Sequence, residues 1–295
     1  MKLEYKFESE TPQQLKYFLK NQRLSKGLLA KVKFKGGLIL VNGTERTVRW
    51  TLELGDIVEV VIPAEAEHET LLRYDAPLDI VFEDDFYLLV NKPSGVASIQ
   101  SQYHPNGTMA NRVKNYIMEQ DYEDKVVHVV TRLDRDTTGL MLFAKNGFAH
   151  ALMDIELKER RITKKYFALV SASENLDEHA FIEGAIGRDL SSILKRQVVE
   201  EGGKNALTEY KLISEREGVA LIDIILHTGR THQIRVHFSH IGAPLLGDEM
   251  YGGRMDLGIT RQALHCHNLK FKHPVTGEDM NFEVDLPEDM KEVLG

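Results

Sequence analysis

Short apolar runs, many of them rich in β-branched and aromatic residues, recur along the chain between polar residues, glycine and proline. Runs of this kind are typical of β-strands, because a helix needs a longer stretch with apolar residues three and four positions apart. The predicted strands are 38–41, 57–62, 78–82, 86–91, 126–130, 140–144, 162–170, 219–228, 269–271 and 281–284. Residues 174–205 lack this pattern, and their glycine and acidic clusters predict loops.

Helical spacing of apolar residues occurs in several other segments, and some of these follow a residue suited to capping a helix. Thr11 before Pro12 predicts one helix start, and Ser25 and Thr231 predict two more. The predicted helices lie after Thr11, from Ser25 to about 35, from 108 through 117, near 148–157, from Thr231 to Gly242 and after Pro287. The chain therefore mixes helices and strands along its whole length.

The N-terminal part of the chain stands out as a separate unit. Two short helices, strand 38–41, the hairpin signal Asn42-Gly43 and strand 57–62 form a small module. Residues 63–69 are acidic, alanine-rich and without periodicity, which indicates a linker. We therefore predict a module over residues 1–63, a linker over 64–74 and a larger domain over 75–295.

The composition is that of an ordinary globular protein, with 42% hydrophobic and 28% charged residues among 295. No apolar run approaches the roughly 20 residues of a membrane span, and the polar N-terminus is unlike a signal peptide. Cys266 is the single cysteine, which excludes an internal disulfide and suits a reducing compartment. We therefore expect a cytoplasmic protein without membrane association.

A net charge of −8 argues against polyanion binding by the whole surface, but the charge is unevenly distributed. Residues 11–44 contain no Asp or Glu, and their basic residues are Lys16, Lys20, Arg23, Lys26, Lys31, Lys33 and Lys35. Two lysine-bearing helices suit a phosphate backbone, because each neutralised phosphate releases a counterion. The alternative is a helical face that serves solubility only.

An unusually charged turn separates strands 126–130 and 140–144. Arg132, Asp134, Arg135 and Asp136 fall within five positions, before Thr137-Thr138-Gly139. A carboxylate held beside guanidinium groups at the mouth of a buried sheet stays ionised and oriented. Taken alone, a charged turn of this kind is more often a solvated connection.

Two further polar clusters and a group of histidines are candidates for chemistry. Lys164 and Tyr166 share one face of a predicted strand, which is either core or cleft. Residues 228–235 form a polar turn suited to anion recognition. The histidines of the C-terminal third match no established zinc spacing, so we favour structural histidines and expect no metal. A Gly-x-Ser-x-Gly elbow and a phosphate-binding loop are absent from the sequence.

The N-terminal module resembles the S-four-like RNA-binding domain, which is named for a ribosomal protein. The resemblance rests on Leu24-Ser25-Lys26, Val41-Asn42-Gly43 and Leu54-Gly55-Asp56, and covers residues 11–62. It implies RNA contacts by the basic helices, for which Lys26, Lys31 and Lys33 are the candidates.

The larger domain resembles the RluA family of RNA pseudouridine synthases over residues 75–290. The principal motifs are Arg132-Leu133-Asp134-x-x-Thr137-x-Gly139-Leu140, Lys164-x-Tyr166 and the segment 228–235, in this order. Supporting matches are Asn91-Lys92-Pro93-x-Gly95, Gly187-Arg188-Asp189, the segment 242–252, and Leu264-His265 followed by His273-Pro274. One position departs from the family pattern: Thr131 stands where members usually have histidine before Arg-Leu-Asp.

This resemblance implies an α+β pseudouridine synthase fold, with a mixed, largely antiparallel central sheet flanked by helices. Asp134 would be the catalytic aspartate, Arg235 its buried guanidinium partner, and Tyr166 the aromatic residue that stacks on the target base. The implied substrate contacts are Arg132, which would enter the stack vacated by the flipped nucleotide, Leu226 as an apolar wall, Arg230 and His232.

The implied reaction isomerises specific uridines of structured RNA, with ribosomal RNA favoured over transfer RNA. It breaks the bond from N1 to the ribose and rejoins the uracil through C5, so no atoms are added and no cofactor is needed. A fixed carboxylate stabilises or traps the positive character at C1′. Three roles for Asp134 stay open: attack at C1′, proton removal at C2′, or attack on the base. The alternative function is a non-catalytic RNA-binding protein, and we expect a monomer.

Overall fold

The structure is a computed structural model that describes residues 1–67, 69–120, 122–172, 176–189 and 191–295. The N-terminal part contains a small antiparallel sheet and two helices. Its elements are β1 (Lys2–Lys6), β2 (Gln13–Gln14), α1 (Leu15–Asn21), α2 (Lys26–Phe34), β3 (Leu38–Val41), β4 (Thr44–Glu45), β5 (Thr51–Leu52) and β6 (Ile57–Val61). The sheet has the strand order β1-β6-β3-β4, and β2 pairs separately with β5.

The rest of the chain builds one large sheet with helices packed against it. Its elements are β7 (Ile80–Glu83), β8 (Tyr87–Lys92), α3 (Met109–Glu119), β9 (His128–Val129), β10 (Thr138–Ala144), α4 (Gly147–Lys158), β11 (Thr163–Ser171), β12 (His179–Arg188), β13 (Arg196–Val199), β14 (Lys204–Arg216), β15 (Val219–Leu226), α5 (Gln233–His240), β16 (Leu264–Lys272), β17 (Asp279–Glu283) and α6 (Glu288–Leu294). None of the helices in the described ranges is long and apolar enough to cross a bilayer.

The large sheet is mixed but mostly antiparallel. Its main path runs β13-β12-β14-β15-β11-β16-β10-β8-β7, with β17 beside β16 and β9 beside β10. Strands β10 and β16 are parallel, whereas the other described pairs of this sheet are antiparallel. The predicted α+β class with a largely antiparallel mixed sheet is therefore confirmed.

Two predicted helix starts are wrong. Helix α1 begins at Leu15, not after Thr11, because Gln13 and Gln14 pair with β5 and the cap residue Gln14 is extended. Helix α5 begins at Gln233, and its cap is His232 at φ 57° instead of Thr231. In contrast, Ser25 caps α2 as predicted, accepting a hydrogen bond from the Leu28 amide at 3.1 Å.

The predicted loop region 174–205 is also wrong, since it contains β12 and β13 and the start of β14. These strands are stabilised by pairing with one another, and β12 buries only Ile182 and Ile186 of its ten residues. Two buried side chains in ten give little alternation in the sequence. Residues 174, 175 and 190 of this region lie outside the described residues.

The N-terminal part packs on helix α4 through a shared apolar core. Phe148 and Leu152 of α4 belong to the same buried cluster as Leu15, Leu28 and Val60. The boundaries at 63 and 75 stay a prediction, and His68 of the predicted linker lies outside the described residues.

Glu65, from the predicted linker, connects the two parts by polar contacts. Its carboxylate accepts hydrogen bonds from the Lys31 ammonium at 2.8 Å and the Gly147 amide at 2.8 Å, and lies 2.6 Å from Nε2 of His128. The hydrogen bond to His128 is the largest cause that lowers the pKa of Glu65 to about 2. Burial opposes this shift, and Lys31 adds to it.

Replacement Glu65→Gln is expected to lower the free energy of unfolding by about 2 kcal/mol, since it removes a charged acceptor of several hydrogen bonds. Because the folded-state pKa is depressed, this stabilisation is complete above the unfolded pKa of about 4.5 and is lost as the pH falls towards 2. Urea unfolding at pH 7 and pH 3 measures both effects. Equal destabilisation by Glu65→Gln at the two pH values would contradict the assignment.

Candidate active site

A cleft of about 510 Å³ opens where β9, β11, β15 and the start of α5 meet. It brings together residues of all three principal motifs. The predicted residues that line it are Arg132, Asp134, Tyr166, Leu226, Arg230, His232 and Arg235. The remaining candidates, Lys26, Lys31 and Lys33, lie on α2 of the N-terminal module and do not line this cleft.

One row of paired residues across the sheet explains why the charged turn and Tyr166 are neighbours. Cys266 of β16 pairs with Gly139 on one side and with Tyr166 on the other, and Tyr166 pairs with Ile224. Gly139 has φ +108°, and a Cβ there would lie 2.2 Å from the Cys266 carbonyl oxygen. The close approach of β10 and β16 therefore requires glycine.

Buried polar side chains hold the turn that carries Asp134 in place. Ser98 donates a hydrogen bond to the Leu133 carbonyl at 2.6 Å and accepts one from the Leu133 amide at 3.0 Å. The Lys92 ammonium, fully buried, donates to the carbonyls of Pro93, Val96 and Arg135 at 2.7–2.8 Å. Burial lowers the pKa of Lys92 to about 7, against the opposing charges of Asp136 and Asp134.

Thr131, where the family pattern has histidine, has a clear structural role. It is buried, and its hydroxyl oxygen accepts a hydrogen bond from the Leu142 amide at 2.9 Å. The Thr131 amide in turn donates to the Leu142 carbonyl at 3.1 Å. Thr131 therefore fixes the end of β9 against β10, directly before the charged turn.

Asp134 faces a buried arginine that is itself held by a second carboxylate. Its Oδ2 lies 3.3 Å from Nη1 of Arg235, and its side chain is 28% exposed. The Arg235 guanidinium also binds Asp248 through two hydrogen bonds, of 2.6 and 2.8 Å. Asp248 is buried, so this fork-to-carboxylate pair fixes the plane of the guanidinium and leaves Nη1 for Asp134.

The charges around Arg235 keep it protonated at every accessible pH. Burial disfavours the charged form, but the hydrogen bonds and charge of Asp248, with Asp134, outweigh it and raise the pKa of Arg235. The guanidinium carbon also lies 4.9 Å from the centre of the Tyr251 ring. Arg235 is therefore a permanent cation at the base of the cleft.

His232 is a second neighbour of Asp134, with its Nε2 3.9 Å from Oδ2. Burial lowers the pKa of His232, although Asp134 opposes the shift, so the ring is mostly neutral at pH 7. The Tyr251 hydroxyl accepts from the Arg196 amide at 3.0 Å and lies 2.9 Å from Nδ1 of His232.

Tyr166 lies within β11 with its side chain buried at the wall of the cleft. Burial raises the pKa of Tyr166 well above 10, and its contact with the Cys266 thiol raises it further. The phenol is therefore neutral. The strand face that carries Tyr166 belongs to both the core and the cleft, which resolves the two alternatives left open by the sequence.

Gln233 organises the polar turn between β15 and α5. Its side-chain oxygen accepts hydrogen bonds from the Thr228 hydroxyl at 2.7 Å and the Arg230 amide at 3.0 Å. Arg230 donates from Nε to the Asn205 carbonyl at 3.0 Å, and Leu226 lines the cleft at the end of β15. Arg132 is exposed at the mouth, without a hydrogen bond or ion pair to any described residue.

Three of the histidines considered for metal binding have polar partners that are not metal ligands to one another. His265 contacts the Thr138 hydroxyl at 2.8 Å, His267 contacts Asp223 at 3.2 Å, and His273 contacts Asp84 at 3.0 Å. Among residues with a described placement, no three His, Cys, Asp or Glu side chains converge as a metal site.

Three residues of the site were not singled out from the sequence. Asp248 and Lys92 lie in supporting motifs, Gly247-Asp248 and Asn91-Lys92-Pro93, which were the available signal. Ser98 carried no signal, because its partner Leu133 lies 35 positions away.

The family comparison identifies the class of protein that this fold and cleft represent. The family model described as RNA pseudouridylate synthase matches residues 86–240, about half of the chain. The chain belongs to this family and is an RNA pseudouridine synthase, an isomerase that acts on RNA.

Individual relatives agree with this assignment. The uncharacterized RNA pseudouridine synthase YjbO of Bacillus subtilis is 42% identical over 92% of this chain and 94% of that protein. Ribosomal large subunit pseudouridine synthase D of Vibrio parahaemolyticus is 37% identical over 86% of this chain and 81% of that protein. Among solved structures, human RNA pseudouridylate synthase domain containing 1 is 26% identical over 72% of this chain and 86% of its own, with a TM-score of 0.58.

Proposed function

We propose that this enzyme converts specific uridines of ribosomal RNA to pseudouridine, with Asp134 as the catalytic carboxylate. The observation that best supports this proposal is the contact between Asp134 and Arg235. Arg235 is held in place by Asp248, and Tyr166 lines the same cleft. A carboxylate oriented by a permanent cation suits a reaction that builds positive character at C1′. The relatives named as ribosomal large subunit synthases support ribosomal RNA as the substrate.

In this proposal the target nucleotide leaves its stack and enters the cleft, which costs a few kcal/mol. Stacking on Tyr166 offsets about 1–3 kcal/mol of that cost. Arg132, exposed at the mouth, enters the vacated position in the RNA stack. Leu226 packs on the base as an apolar wall, and Arg230 and His232 contact the RNA near Asp134.

Substrate and product have the same atoms, so the reaction needs no group donor, oxidant or reductant. The enzyme is proposed to act as a monomer in the cytoplasm. Release of tritium from RNA labelled at uridine C5 tests the activity directly, since C5 loses its hydrogen when it bonds to C1′. Mapping of pseudouridines in ribosomal and transfer RNA, with and without the protein, tests the substrate. Modification confined to transfer RNA would contradict the ribosomal assignment.

The basic face of α2 is proposed as a second RNA contact. Lys26, Lys31 and Lys33 are all exposed, but Lys31 is paired with Glu65 at 2.8 Å. Phe34 is 73% exposed beside Lys33, whose ammonium lies 5.0 Å from the ring centre. An exposed aromatic ring among lysines suits RNA, since it offers stacking as well as charge.

Replacing both Lys26 and Lys33 with glutamine is expected to weaken RNA binding and to reduce the slope of log affinity against log salt by about 1.5, for two lost phosphate contacts. Titrations at several salt concentrations measure the slope. The matched control replaces Lys270 and Lys272, two exposed lysines of β16, and should leave the slope unchanged. An unaltered slope in the α2 variant would place the RNA elsewhere.

A further inference from the structure

One lysine of the cleft, Lys164, has no role in the function proposed above. Lys164 lies two residues before Tyr166 on the same face of β11, and both line the cleft. It forms no hydrogen bond or ion pair with any residue that the structure describes. A Cβ on Gly229 would lie 3.8 Å from its ammonium nitrogen, which places that nitrogen beside the turn leading to α5.

The next residue on the strand, Lys165, differs from Lys164 because it has a counter-ion. Lys165 does not line the cleft, and its ammonium lies 3.9 Å from a carboxylate oxygen of Asp223. The Cys266 thiol interacts electrostatically with Lys164, but burial raises the pKa of Cys266 to about 12, so the thiol is neutral. Asp134 is already engaged with Arg235.

An ammonium without a counter-ion is costly in a desolvated site, and burial accordingly lowers the pKa of Lys164. Such a cation suits a negative charge that arrives or forms with the substrate. Residues i and i+2 of a strand are about 7 Å apart on one face, so a uracil stacked on Tyr166 presents its polar edge within reach of Lys164.

The isomerisation itself generates a negative charge on the base. When the bond between N1 and C1′ breaks, the electron pair stays on N1 and is delocalised onto O2 and O4. The ribose is balanced by the Asp134 carboxylate, which bonds to C1′ or accepts the C2′ proton. The base then turns and C5 bonds to C1′, while the Asp134–C1′ bond breaks or Asp134 returns the proton to C2′. The C5 proton leaves and N1 gains one, so the overall reaction is neutral.

We propose that Lys164 is a further catalytic residue, whose ammonium donates a hydrogen bond to a uracil carbonyl oxygen and stabilises the departing uracil anion. This inference rests on the proposed function. Lys164 donates this hydrogen bond without transferring its proton. It stabilises the negative charge on the uracil, whereas Asp134 stabilises the positive character of the ribose. Two groups of opposite sign then act on the two fragments of the broken bond.

The test compares single-turnover rates on RNA that carries either uridine or 5-fluorouridine at the target position, measured as loss of the N-linked nucleoside. Fluorine withdraws electrons and stabilises the uracil anion, so it reduces the need for an external cation. Lys164→Met is expected to slow the uridine reaction by about 100-fold or more, as for the loss of one donor to a developing charge. With 5-fluorouridine the loss should fall to about 10-fold, and Lys164→Arg should restore part of the rate.

Lys165→Met is the matched control, and it should change both rates less than 3-fold. RNA affinity and its salt slope should be unchanged in Lys164→Met, with thermal unfolding confirming that the variant is folded. An equal loss on both substrates would overturn the proposal, and so would a salt slope reduced by about one, which would assign Lys164 to a phosphate. Wild-type turnover in the same assay tests the proposed function separately from Lys164.

Discussion

Asp134→Asn is expected to reduce tritium release by about 10⁴-fold or more while RNA affinity changes less than 3-fold. The amide keeps the size of the side chain but supplies neither the charge nor the basicity that cleavage at C1′ needs. The variant should fold normally, because Arg235 retains both hydrogen bonds to Asp248.

Asp136→Asn is the matched control from the same turn. Asp136 pairs with Arg135 at the surface and does not line the cleft, so the replacement should change turnover less than 3-fold. Binding assays on both variants separate catalysis from RNA recognition. Full turnover by Asp134→Asn would exclude the aspartate mechanism.

Asp248→Ala is expected to lower the free energy of unfolding by about 3–5 kcal/mol, because it leaves the buried guanidinium of Arg235 without its main counter-ion. It should also abolish most activity, since Arg235 would no longer be held at its distance from Asp134. Urea unfolding and tritium release measure the two effects.

A double variant, Arg235→Met with Asp248→Leu, separates stability from activity. Replacing both buried charges by apolar groups removes the uncompensated charge and should recover most of the lost stability. Activity should stay lost. As a control, Asp256→Ala breaks a similar fork with Arg254, but both side chains are exposed, so the replacement should leave the free energy of unfolding nearly unchanged. A loss below 1 kcal/mol in Asp248→Ala would contradict the buried-pair assignment.

The sequence was sufficient to predict which residues gather at the site but not the contacts that support them. Asp134, Tyr166 and Arg235 fall in motifs with distinctive spacing, and the structure places all three around one cleft. Asp248 and Ser98 act through partners far along the chain, and local patterns contain no information on which buried carboxylate meets which arginine. Only the folded register decides that.

The errors in the predicted elements have the same origin. Thr11 and Pro12 form a good local signal for a helix start, yet pairing of Gln13 and Gln14 with β5 extends the backbone instead. Strand β12 has weak alternation of its own and exists because β13 and β14 flank it. Long-range pairing overrides local propensity in both places.

The row Gly139–Cys266–Tyr166 has a consequence for how this enzyme tolerates change. Residues between Gly139 and Tyr166 can be inserted or deleted in surface loops without separating the two, because β16 alone sets their alignment. A slip of β16 by one residue would instead turn Cys266 to the opposite face and move Asp134 away from Tyr166 together with its turn. The relative position of the Asp134 turn and the Tyr166 ring is thus determined by a strand that supplies neither residue.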